Sequence, residues 1–260
     1  MNCRICSEKT SFSFEEVILN RYTISYYLCG HCGLLQTEKP YWLEEAYGDA
    51  IIDADTGLIR RNLFFSEMLA CILFKIFRGK GSFVDIAGGY GMMTRLMRDR
   101  GFDYYWSDPY CENVLAKGFG VDFSKEEKFQ AVSAFEVLEH TADPISFLKD
   151  TLEKTNAEVI VISTELFQEP VPASKDWFYY AFEGGQHISF FQKKTLIEIS
   201  KRLNLYFYSN GTFHILSKIK ISSFFFFLVK SPLRKLYLFW IRLFLQPKTM
   251  SDHYLLLQKK

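Results

Sequence analysis

Short apolar runs alternate with one-sided helical patterns through the middle of the chain. The apolar runs predict five strands, at Ser82–Ile86, Asp103–Ser107, Phe119–Val121, Phe129–Ala134 and Glu158–Ser163. The one-sided patterns predict helices at Leu58–Phe77, Met92–Asp99 and Ile145–Lys154. Strands that alternate with helices predict an α/β fold with a doubly wound, mostly parallel sheet.

The length of 260 residues allows one core domain and a small N-terminal module. We predict a zinc-ribbon-like module (1–40), a linker with a covering helix (41–80), a core (81–218), a basic aromatic helical insertion (219–248) and a final core strand (249–260). Asn204–Ser209 is the predicted sixth strand. Asp252–Gln258 is predicted to complete a seven-stranded sheet as an antiparallel strand.

A glycine-rich turn, Val-Asp-Ile-Ala-Gly-Gly-Tyr-Gly at residues 84–91, joins the first core strand to a helix. Glycines in such a turn let the backbone approach a ligand, because no Cβ intervenes. The free N–H groups of the following helix point at the same place. The third glycine of a dinucleotide site and the Gly-Lys-Ser/Thr of a phosphate loop are both missing. The sequence of this turn alone is compatible with a bound nucleotide-like ligand and also with a tight turn that binds no ligand.

The spacing of Asp85, Gly89 and Gly91 resembles the first motif of class I S-adenosylmethionine-dependent methyltransferases, with Ala87 where the family usually has a glycine. Asp108 ends the next predicted strand, 23 residues beyond Asp85, where nucleotide folds place a carboxylate for the ribose hydroxyls. The resemblance implies a Rossmann-like fold, S-adenosylmethionine as cofactor and methyl transfer as activity.

Later positions extend this resemblance to about residue 191. Asp122 and Phe123 follow the third predicted strand, where the family often uses an acid and an apolar residue to hold adenine. The segment Phe-Glu-Val-Leu-Glu-His resembles the part that follows the fourth strand in small-molecule methyltransferases, which implies cofactor contacts for Phe135, Glu136 and His140. For Glu136, a contact with the methionine end of the cofactor and a cap of the strand exit both stay open. His140 is expected to position the cofactor rather than to catalyse.

Four cysteines form two Cys-x-x-Cys pairs, Cys3 with Cys6 and Cys29 with Cys32, separated by 22 residues. Two such pairs supply the four thiolates that a structural zinc ion prefers, and they leave no open position for catalysis. A redox site would need only one pair. No secretory signal is recognised near Met1, so we expect a cytoplasmic chain and reduced thiols rather than disulfides.

A zinc module before a methyltransferase core resembles sugar C-methyltransferases of bacterial polysaccharide and antibiotic pathways. The segment Gly-Gln-His-Ile-Ser-Phe-Phe at residues 185–191 resembles a late motif of the same enzymes, and a long aromatic loop (165–182) precedes it. This resemblance implies a sugar or sugar nucleotide as the acceptor. His187 is the candidate base, because an ordinary histidine pKa is ~6.5, and Glu183 is a candidate to orient it or to bind substrate. A purely structural hydrogen bond from His187 is the competing interpretation.

The net charge of +1 hides a basic C-terminal part, because residues 199–251 contain nine Lys or Arg and no acid. Within it, the apolar stretches of residues 219–248 are shorter than the ~20 residues that span a bilayer. They predict either a peripheral contact with the inner membrane surface or packing on the core or on a second copy. Neither the oligomeric state nor the methylated atom (C, O or N) follows from the sequence.

An alternative function is nucleic-acid binding, or RNA modification, through the cysteine module and the basic C-terminal part. The near-zero net charge gives little long-range attraction to phosphates, and bulky aliphatic residues separate the basic ones. The sequence therefore favours a methyltransferase with a small-molecule acceptor.

Overall fold

The computed structural model of the chain describes residues 1–47, 55–124, 128–172, 177–222, 229 and 231–258. The strands in these residues are β1 (Thr10–Ile18), β2 (Tyr22–Cys29), β3 (Leu35–Thr37), β4 (Ser82–Ile86), β5 (Asp103–Ser107), β6 (Ala131–Phe135), β7 (Val159–Ser163), β8 (Ser189–Phe190), β9 (Tyr206–Ser209) and β10 (Phe213–Ser217). The α-helices are α1 (Leu43–Ala46), α2 (Leu58–Phe77), α3 (Met92–Asp99), α4 (Pro144–Thr155), α5 (Lys193–Arg202), α6 (Leu233–Ile241) and α7 (Thr249–Gln258). Short 3₁₀ helices cover Leu138–His140 and Phe178–Tyr180.

The core is a mixed sheet with the strand order β5–β4–β6–β7–β10–β9. The first four strands of this order run parallel to one another, whereas β10 is antiparallel to both of its neighbours. All five residues of β7 are buried, as expected for a strand covered on both faces. The carboxyl ends of β4, β6 and β7 therefore meet at one edge of the sheet, where open α/β folds bind their ligands.

Helices cover both faces of this sheet. On one face, α2, α3 and α6 pack against apolar residues such as Phe83, Val161 and Ile215. On the other face, α4 and α5 pack against residues such as Val84, Ile160 and Leu216. The helix predicted at Leu58–Phe77 is found with the same bounds. The predicted helix cap is also found, because the Asp143 side chain accepts a hydrogen bond from the Ser146 N–H at the start of α4.

The N-terminal strands form a second sheet with the order β1–β2–β3–β8. Strand β8 comes from the predicted core, and its Phe190 pairs with Leu35 of β3. Arg4 strengthens this junction, because its guanidinium donates hydrogen bonds to the carbonyls of Thr37 and Ile188 at 2.9 and 2.7 Å. The N-terminal sheet thus includes a segment well outside residues 1–40.

Two strand predictions need correction. The predicted strand at Phe119–Val121 is a single parallel bridge from Gly120 to Trp106, so the core sheet has six strands among the described residues rather than seven. The predicted final strand at Asp252–Gln258 is wrong, because these residues lie in helix α7. The antiparallel strand of the sheet is instead β10.

Helix α7 is held by a buried ion pair. The Arg98 guanidinium donates two hydrogen bonds to the Asp252 carboxylate, at 2.8 and 2.7 Å, and both side chains are buried. The apolar pattern of α7 does not face a sheet, because Leu255 and Leu257 are exposed. The buried contact of this helix is thus polar, which explains why the apolar pattern predicts the wrong structure for this segment.

Helix α6 packs on α2 and leaves several large apolar side chains exposed, among them Leu233, Leu236 and Phe239. Its helical structure agrees with the predicted insertion, although residues 223–228 and 230 lie outside the described part of the chain. Among the described residues, none of the helices has both the length and the apolar character needed to cross a bilayer. A peripheral membrane contact through residues 219–248 stays a prediction.

Candidate active site

The glycine turn follows β4 and leads into α3. Ala87, Gly89 and Gly91 have φ angles of +55°, +53° and +85°, which for Ala87 is a conformation that L residues rarely adopt. A Cβ placed on Gly91 would lie 2.7 Å from Oδ1 of Asn113, so this glycine is required by internal packing. A Cβ on Gly89 would have no atom within 4 Å, so the backbone there faces open space. The turn therefore leaves room for a ligand at Gly89.

Asp85 is 4 % exposed and lies beneath this turn. Its Oδ1 accepts a hydrogen bond from Ser133, whose Oγ in turn accepts one from the Tyr104 hydroxyl. Burial raises the pKa of Asp85 to about 7, which the Ser133 hydrogen bond opposes and the nearby charge of Asp108 increases. Asp85 thus supports the turn from below.

Asp108 lies beside the turn, at the end of β5. Its Oδ2 accepts a hydrogen bond from the Gly89 N–H at 2.9 Å, and its Oδ1 accepts from the N–H groups of Tyr110 and Cys111. The Trp106 indole N–H donates to the Gly89 carbonyl at 2.8 Å. The carboxylate of Asp108 is therefore fixed next to the open backbone of Gly89.

The third predicted contact region, Asp122 and Phe123, lies beyond the bridge to β5. Asp122 is exposed, and its Oδ1 accepts hydrogen bonds from the N–H and hydroxyl of Ser124. Phe123 packs edge-on against Phe129, and the Lys154 ammonium lies 4.1 Å from its ring centre. Phe123 thus belongs to the edge of the core on this face.

The exit of β6 carries Phe135 and Glu136. Phe135 stacks on Phe213 at 4.8 Å and meets Phe65 of α2 edge-on, so it contributes to the core on the α2 face. Glu136 has a φ of +53°, and its Oε1 accepts a hydrogen bond from the Ser163 hydroxyl at 2.6 Å. Burial raises the pKa of Glu136, which the Ser163 hydrogen bond and the charge of Arg61 partly oppose. This hydrogen bond to Ser163 of β7 caps the exit of β6, which is one of the two roles considered for Glu136 in the sequence analysis.

Three side chains beyond β6 form what we call the Glu–His cluster, Glu139, His140 and His187. One possible ligand atom from each lies within 4.8 Å of the others. The two imidazole rings meet edge-on, with their centres 4.7 Å apart. The backbone joins the two segments, because the Ile188 N–H donates to the Glu139 carbonyl at 2.8 Å. The fold therefore brings His187 to the carboxyl edge of the sheet, next to His140.

The environment of this cluster suppresses charge. Burial raises the pKa of Glu139 to about 8, with a further contribution from Glu136. Burial lowers the pKa of His140 to about 3 and that of His187 to about 4, so both imidazoles are neutral at pH 7. A role for His187 as the base is predicted from an ordinary histidine pKa of ~6.5. Burial lowers the pKa of His187 well below that value.

Tyr179 from the aromatic loop links the members of the Glu–His cluster. Its hydroxyl donates to Oε1 of Glu139 at 2.7 Å, and its carbonyl accepts the Nδ1–H of His187 at 2.6 Å. Sequence reasoning missed both Glu139 and Tyr179 as site residues. Glu139 was visible only as the neighbour of His140, and Tyr179 only as one aromatic residue among several in the loop.

Glu183 lies elsewhere, in a surface cavity of about 330 Å³ between the β1–β2 hairpin and the aromatic loop. The cavity is also lined by Glu16, Asn20, Trp177 and Phe178. Glu183 is exposed, and His187 makes its Nδ1 hydrogen bond with the Tyr179 carbonyl instead. The structure therefore does not show Glu183 orienting His187.

The cysteine cluster, Cys3, Cys6, Cys29 and Cys32, lies between the two sheets and is buried. The Sγ atoms of Cys3 and Cys32 are 3.5 Å apart, those of Cys6 and Cys29 are 3.4 Å apart, and all four lie within 4.8 Å of one another. Four sulfurs bonded at ~2.3 Å around a tetrahedral ion would lie roughly 3.8 Å apart. The spacing of the four thiols therefore fits zinc, and none of the four is in a disulfide.

Comparison with known proteins gives a family match over the core. A family model described as a methyltransferase domain matches residues 60–210, which include the glycine turn, the Glu–His cluster and most of the mixed sheet. No curated protein matches the chain.

Similar solved structures include magnesium protoporphyrin IX methyltransferase from Synechocystis PCC 6803 with bound SAH, at 15% identity and a TM-score of 0.43, covering 67% of this chain and 90% of that one. The plantazolicin methyltransferase in complex with SAH has 11% identity and a TM-score of 0.47, covering 74% and 86%. Human N-acetylserotonin methyltransferase in complex with SAM has 16% identity and a TM-score of 0.43, covering 60% and 52%. Likenesses at this level carry no argument about substrates.

Proposed function

The chain belongs to the methyltransferase domain family, and we propose that this S-adenosylmethionine-dependent methyltransferase methylates a small molecule held beside the Glu–His cluster. The observation that carries the proposal is the open backbone at Gly89 with the fixed carboxylate of Asp108 next to it. The donor's ribose would bind at Asp108, and its remaining part would extend along the carboxyl edge of the sheet towards Glu136.

The donor supplies an electrophilic methyl group on a positively charged sulfur. The protein's own task is to orient the acceptor in line with the carbon–sulfur bond and to exclude water. Orientation of this kind can lower a reaction barrier by ~7–11 kcal/mol. Ala87, Gly89 and Glu136 all have positive φ angles at the exits of adjacent parallel strands, which fixes the backbone on the donor's side. Asp122 and Phe123, further along this edge, are proposed to contact the adenine.

We propose a sugar or sugar nucleotide of polysaccharide assembly as the acceptor, in the cytoplasm. The resemblance of residues 185–191 to sugar C-methyltransferases supports this choice. The aromatic loop beside the site adds stacking surfaces, because Phe178 is 81 % exposed and Trp177 is half-buried. The free Nε2 of His187 is proposed to point towards the bound acceptor, since Nδ1 is already bonded. Glu183 is proposed to contact a distal part of the acceptor along the aromatic loop.

We also propose that the cysteine cluster holds a structural zinc ion. Four protein thiolates fill a tetrahedral ion, so the metal would have no open position for substrate. Its task would be to fix the N-terminal sheet and, through β3 and β8, the segment that contains His187. The proposal is independent of the acceptor.

Titration calorimetry with S-adenosylmethionine and S-adenosylhomocysteine tests donor binding. The sharpest pair of variants is Gly89→Ala and Gly89→Leu, because both carry the same strain of a positive φ, about 1–2 kcal/mol. Only the leucine side chain extends far into the open space at Gly89. We expect Gly89→Leu to lose donor binding by more than about tenfold relative to Gly89→Ala, a difference of at least ~1.4 kcal/mol.

Asp108→Asn is the matching polar variant. Asparagine keeps one oxygen for the N–H groups of Tyr110 and Cys111, but it loses the second acceptor and the charge. Donor affinity should fall while the fold is kept, as measured by circular dichroism. If the wild-type chain binds neither compound but binds RNA in a salt-sensitive manner, the nucleic-acid interpretation replaces this one.

A screen with a labelled methyl donor and a panel of sugar nucleotides tests the acceptor. Label transfer to a sugar nucleotide, abolished in Gly89→Leu, supports the proposed acceptor class. Transfer only to non-sugar hydroxyl compounds would keep the methyltransferase and reject the sugar.

A further inference from the structure

The Glu–His cluster contains buried polar atoms that lack a hydrogen-bond partner. Among the described residues, Oε2 of Glu139 and Nδ1 of His140 are buried without one. Glu139 is 0 % exposed, and its other oxygen already accepts the Tyr179 hydroxyl. Buried polar atoms are almost always satisfied, so unpaired ones require an explanation such as a missing ion.

The tautomer of His187 leaves a free lone pair in the cluster. Its Nδ1 lies 2.6 Å from the Tyr179 carbonyl, which can only accept, so Nδ1 carries the proton and Nε2 does not. A histidine that donates one N–H to a backbone carbonyl and presents the other nitrogen is the arrangement found in most metal-bound histidines. Tyr179 thus orients two members of the cluster, because its hydroxyl also bonds to Glu139.

A second carboxyl group lies near the cluster. The Tyr179 hydroxyl, which bonds to Glu139, also approaches Oε2 of Glu136, at 3.4 Å. The nearby arginine, Arg61, is already engaged by Asp55 through two hydrogen bonds of 3.1 and 2.7 Å. Tyr179 therefore bridges the buried carboxyl group of Glu139 and the partly buried one of Glu136.

We propose that Glu139, His140 and His187 bind a divalent first-row cation, which holds an oxygen of the methyl acceptor. Two imidazoles and one carboxylate suit Mn²⁺, Fe²⁺ or Zn²⁺ and leave coordination positions open. Ligand atoms bonded at ~2.0–2.2 Å lie roughly 3–4 Å apart, so the present spacing of up to 4.8 Å would contract slightly on binding.

The cation site is inferred from the geometry of the Glu–His cluster alone, whereas the role of the cation for the acceptor rests on the methyltransferase function proposed above. A hydroxyl bound to the cation would lose its proton to solvent more readily than a free hydroxyl. The acceptor oxygen would then form a bond to the methyl carbon while the carbon–sulfur bond breaks and its electron pair stays on sulfur. In this arrangement His187 is a ligand rather than the base, and the acceptor class is an oxygen nucleophile, such as a sugar hydroxyl.

Electron paramagnetic resonance of Mn²⁺ tests the site directly in the full-length protein loaded with only one zinc ion per chain, which the four thiolates of the cysteine cluster bind first. Mn²⁺ suits carboxylate and nitrogen ligands better than thiolates, so zinc in the cysteine cluster is not displaced. We expect the signal of free Mn²⁺ to fall by about one equivalent per chain in the wild type. His187→Ala and Glu139→Gln should each weaken Mn²⁺ binding at least about tenfold. Tyr179→Phe removes the hydrogen bond to Glu139 and should weaken Mn²⁺ binding by about tenfold.

His253→Ala is the matched control, because His253 is an exposed histidine outside the cluster and its loss should leave Mn²⁺ binding unchanged. Tyr179→Phe keeps the packed ring, so it tests the site even if a ligand variant fails to fold. Calorimetry with S-adenosylmethionine reports the donor crevice separately. Normal donor binding without Mn²⁺ binding therefore refutes the cation site and spares the methyltransferase.

Catechol serves as a diol probe for the acceptor role. Bound Mn²⁺ with an open position accelerates the relaxation of water protons, and catechol should reduce this effect as its oxygens replace the metal's water. Unchanged relaxation at saturating catechol would reject the acceptor role. Mn²⁺ binding that is equal in the wild type, His187→Ala and Tyr179→Phe would overturn the cation site itself.

Discussion

The cysteine cluster and the Glu–His cluster both offer metal ligands, but the chain builds them in different ways. Each cysteine pair comes from one short turn, and the β1–β2 hairpin brings the two turns together. In the Glu–His cluster, Glu139 and His140 follow β6, whereas His187 lies 47 residues beyond His140, just before β8. A cluster made of local pairs is visible in the spacing of a sequence, and one made of distant segments appears only after folding.

The two clusters also differ in chemistry and position. Four thiolates form a closed set that fits a structural ion between two sheets. The Glu–His cluster has only three ligands, of nitrogen and oxygen, and it lies at the carboxyl edge of the sheet where ligands bind. The difference is consistent with the two proposals, a structural ion in the first cluster and a cation that holds the acceptor in the second.

Cys29→Ser should have the largest effect, because it removes one ligand of the closed cluster. Structural zinc in small zinc-finger peptides contributes an apparent ~10–16 kcal/mol to folding. We expect loss of bound zinc and melting of the N-terminal sheet, measured by elemental analysis and thermal denaturation. Cys111→Ser is the control, since Cys111 is a partly exposed thiol outside the cluster, and it should keep about one zinc per chain. A Cys29→Ser protein with the wild-type melting temperature would contradict a structural role.

Arg4→Met should have the next largest effect, because Arg4 connects the two clusters. It lies between the first pair of cysteines, and its guanidinium donates to the carbonyls of Ile188, Thr37 and Glu38 at 2.7, 2.9 and 2.8 Å. Methionine keeps much of the apolar stem but leaves these carbonyls without the donor. Chemical denaturation should show a loss of about 3 kcal/mol, because hydrogen bonds to charged groups are among the stronger ones.

The same variant should weaken Mn²⁺ binding, because Ile188 directly follows His187 in the chain. The control is Arg21→Met, an exposed arginine paired only with Glu45 among the described residues, which should change neither property. If Arg4→Met lowered stability but left Mn²⁺ binding intact, the two clusters would be independent.

Local patterns explain which parts of the fold were predictable. The bounds of β4, β5, α2 and α3 agree with the sequence analysis, because each element carries its own periodicity or glycine signal. Strand β10 was not predicted, since Phe213–Ser217 is a short run without an alternating pattern. The prediction of a strand at Asp252–Gln258 is wrong because Asp252 pairs with Arg98, a contact that no local pattern contains.

The candidate site likewise has one part that the sequence predicts and one part that only the fold brings together. The glycine turn proposed to bind the donor is visible in the sequence, because Asp85, Gly89 and Gly91 lie within seven residues of one another. The acceptor side is not, because the contact between His187 and His140 depends on the pairing of β3 with β8 and on the bond between Ile188 and Glu139. His187 was identified through a family resemblance, and its neighbours were identified by the fold.

The variant Asp85→Asn tests whether burial alone is enough to make a carboxyl group contribute to cation binding. Asp85 is almost as buried as Glu139, but Ser133 satisfies its Oδ1. Its pKa is raised to about 7 in the folded chain, against ~3.9 in an unfolded one. Between these values the folded state binds more protons than the unfolded state, so this group's contribution to stability falls as the pH rises.

The free energy of unfolding of the wild type should therefore fall relative to Asp85→Asn by up to ~1.4 kcal/mol from pH 5 to pH 6, measured by urea denaturation. Mn²⁺ binding should be equal in the two proteins, because Asp85 is not a member of the Glu–His cluster. A constant difference in stability across that interval would mean that Asp85 stays ionised. Loss of Mn²⁺ binding in Asp85→Asn would mean that a hydrogen-bonded buried carboxyl group also contributes to cation binding. The missing hydrogen bond of Glu139 would then not be what distinguishes a cation ligand from other buried acids.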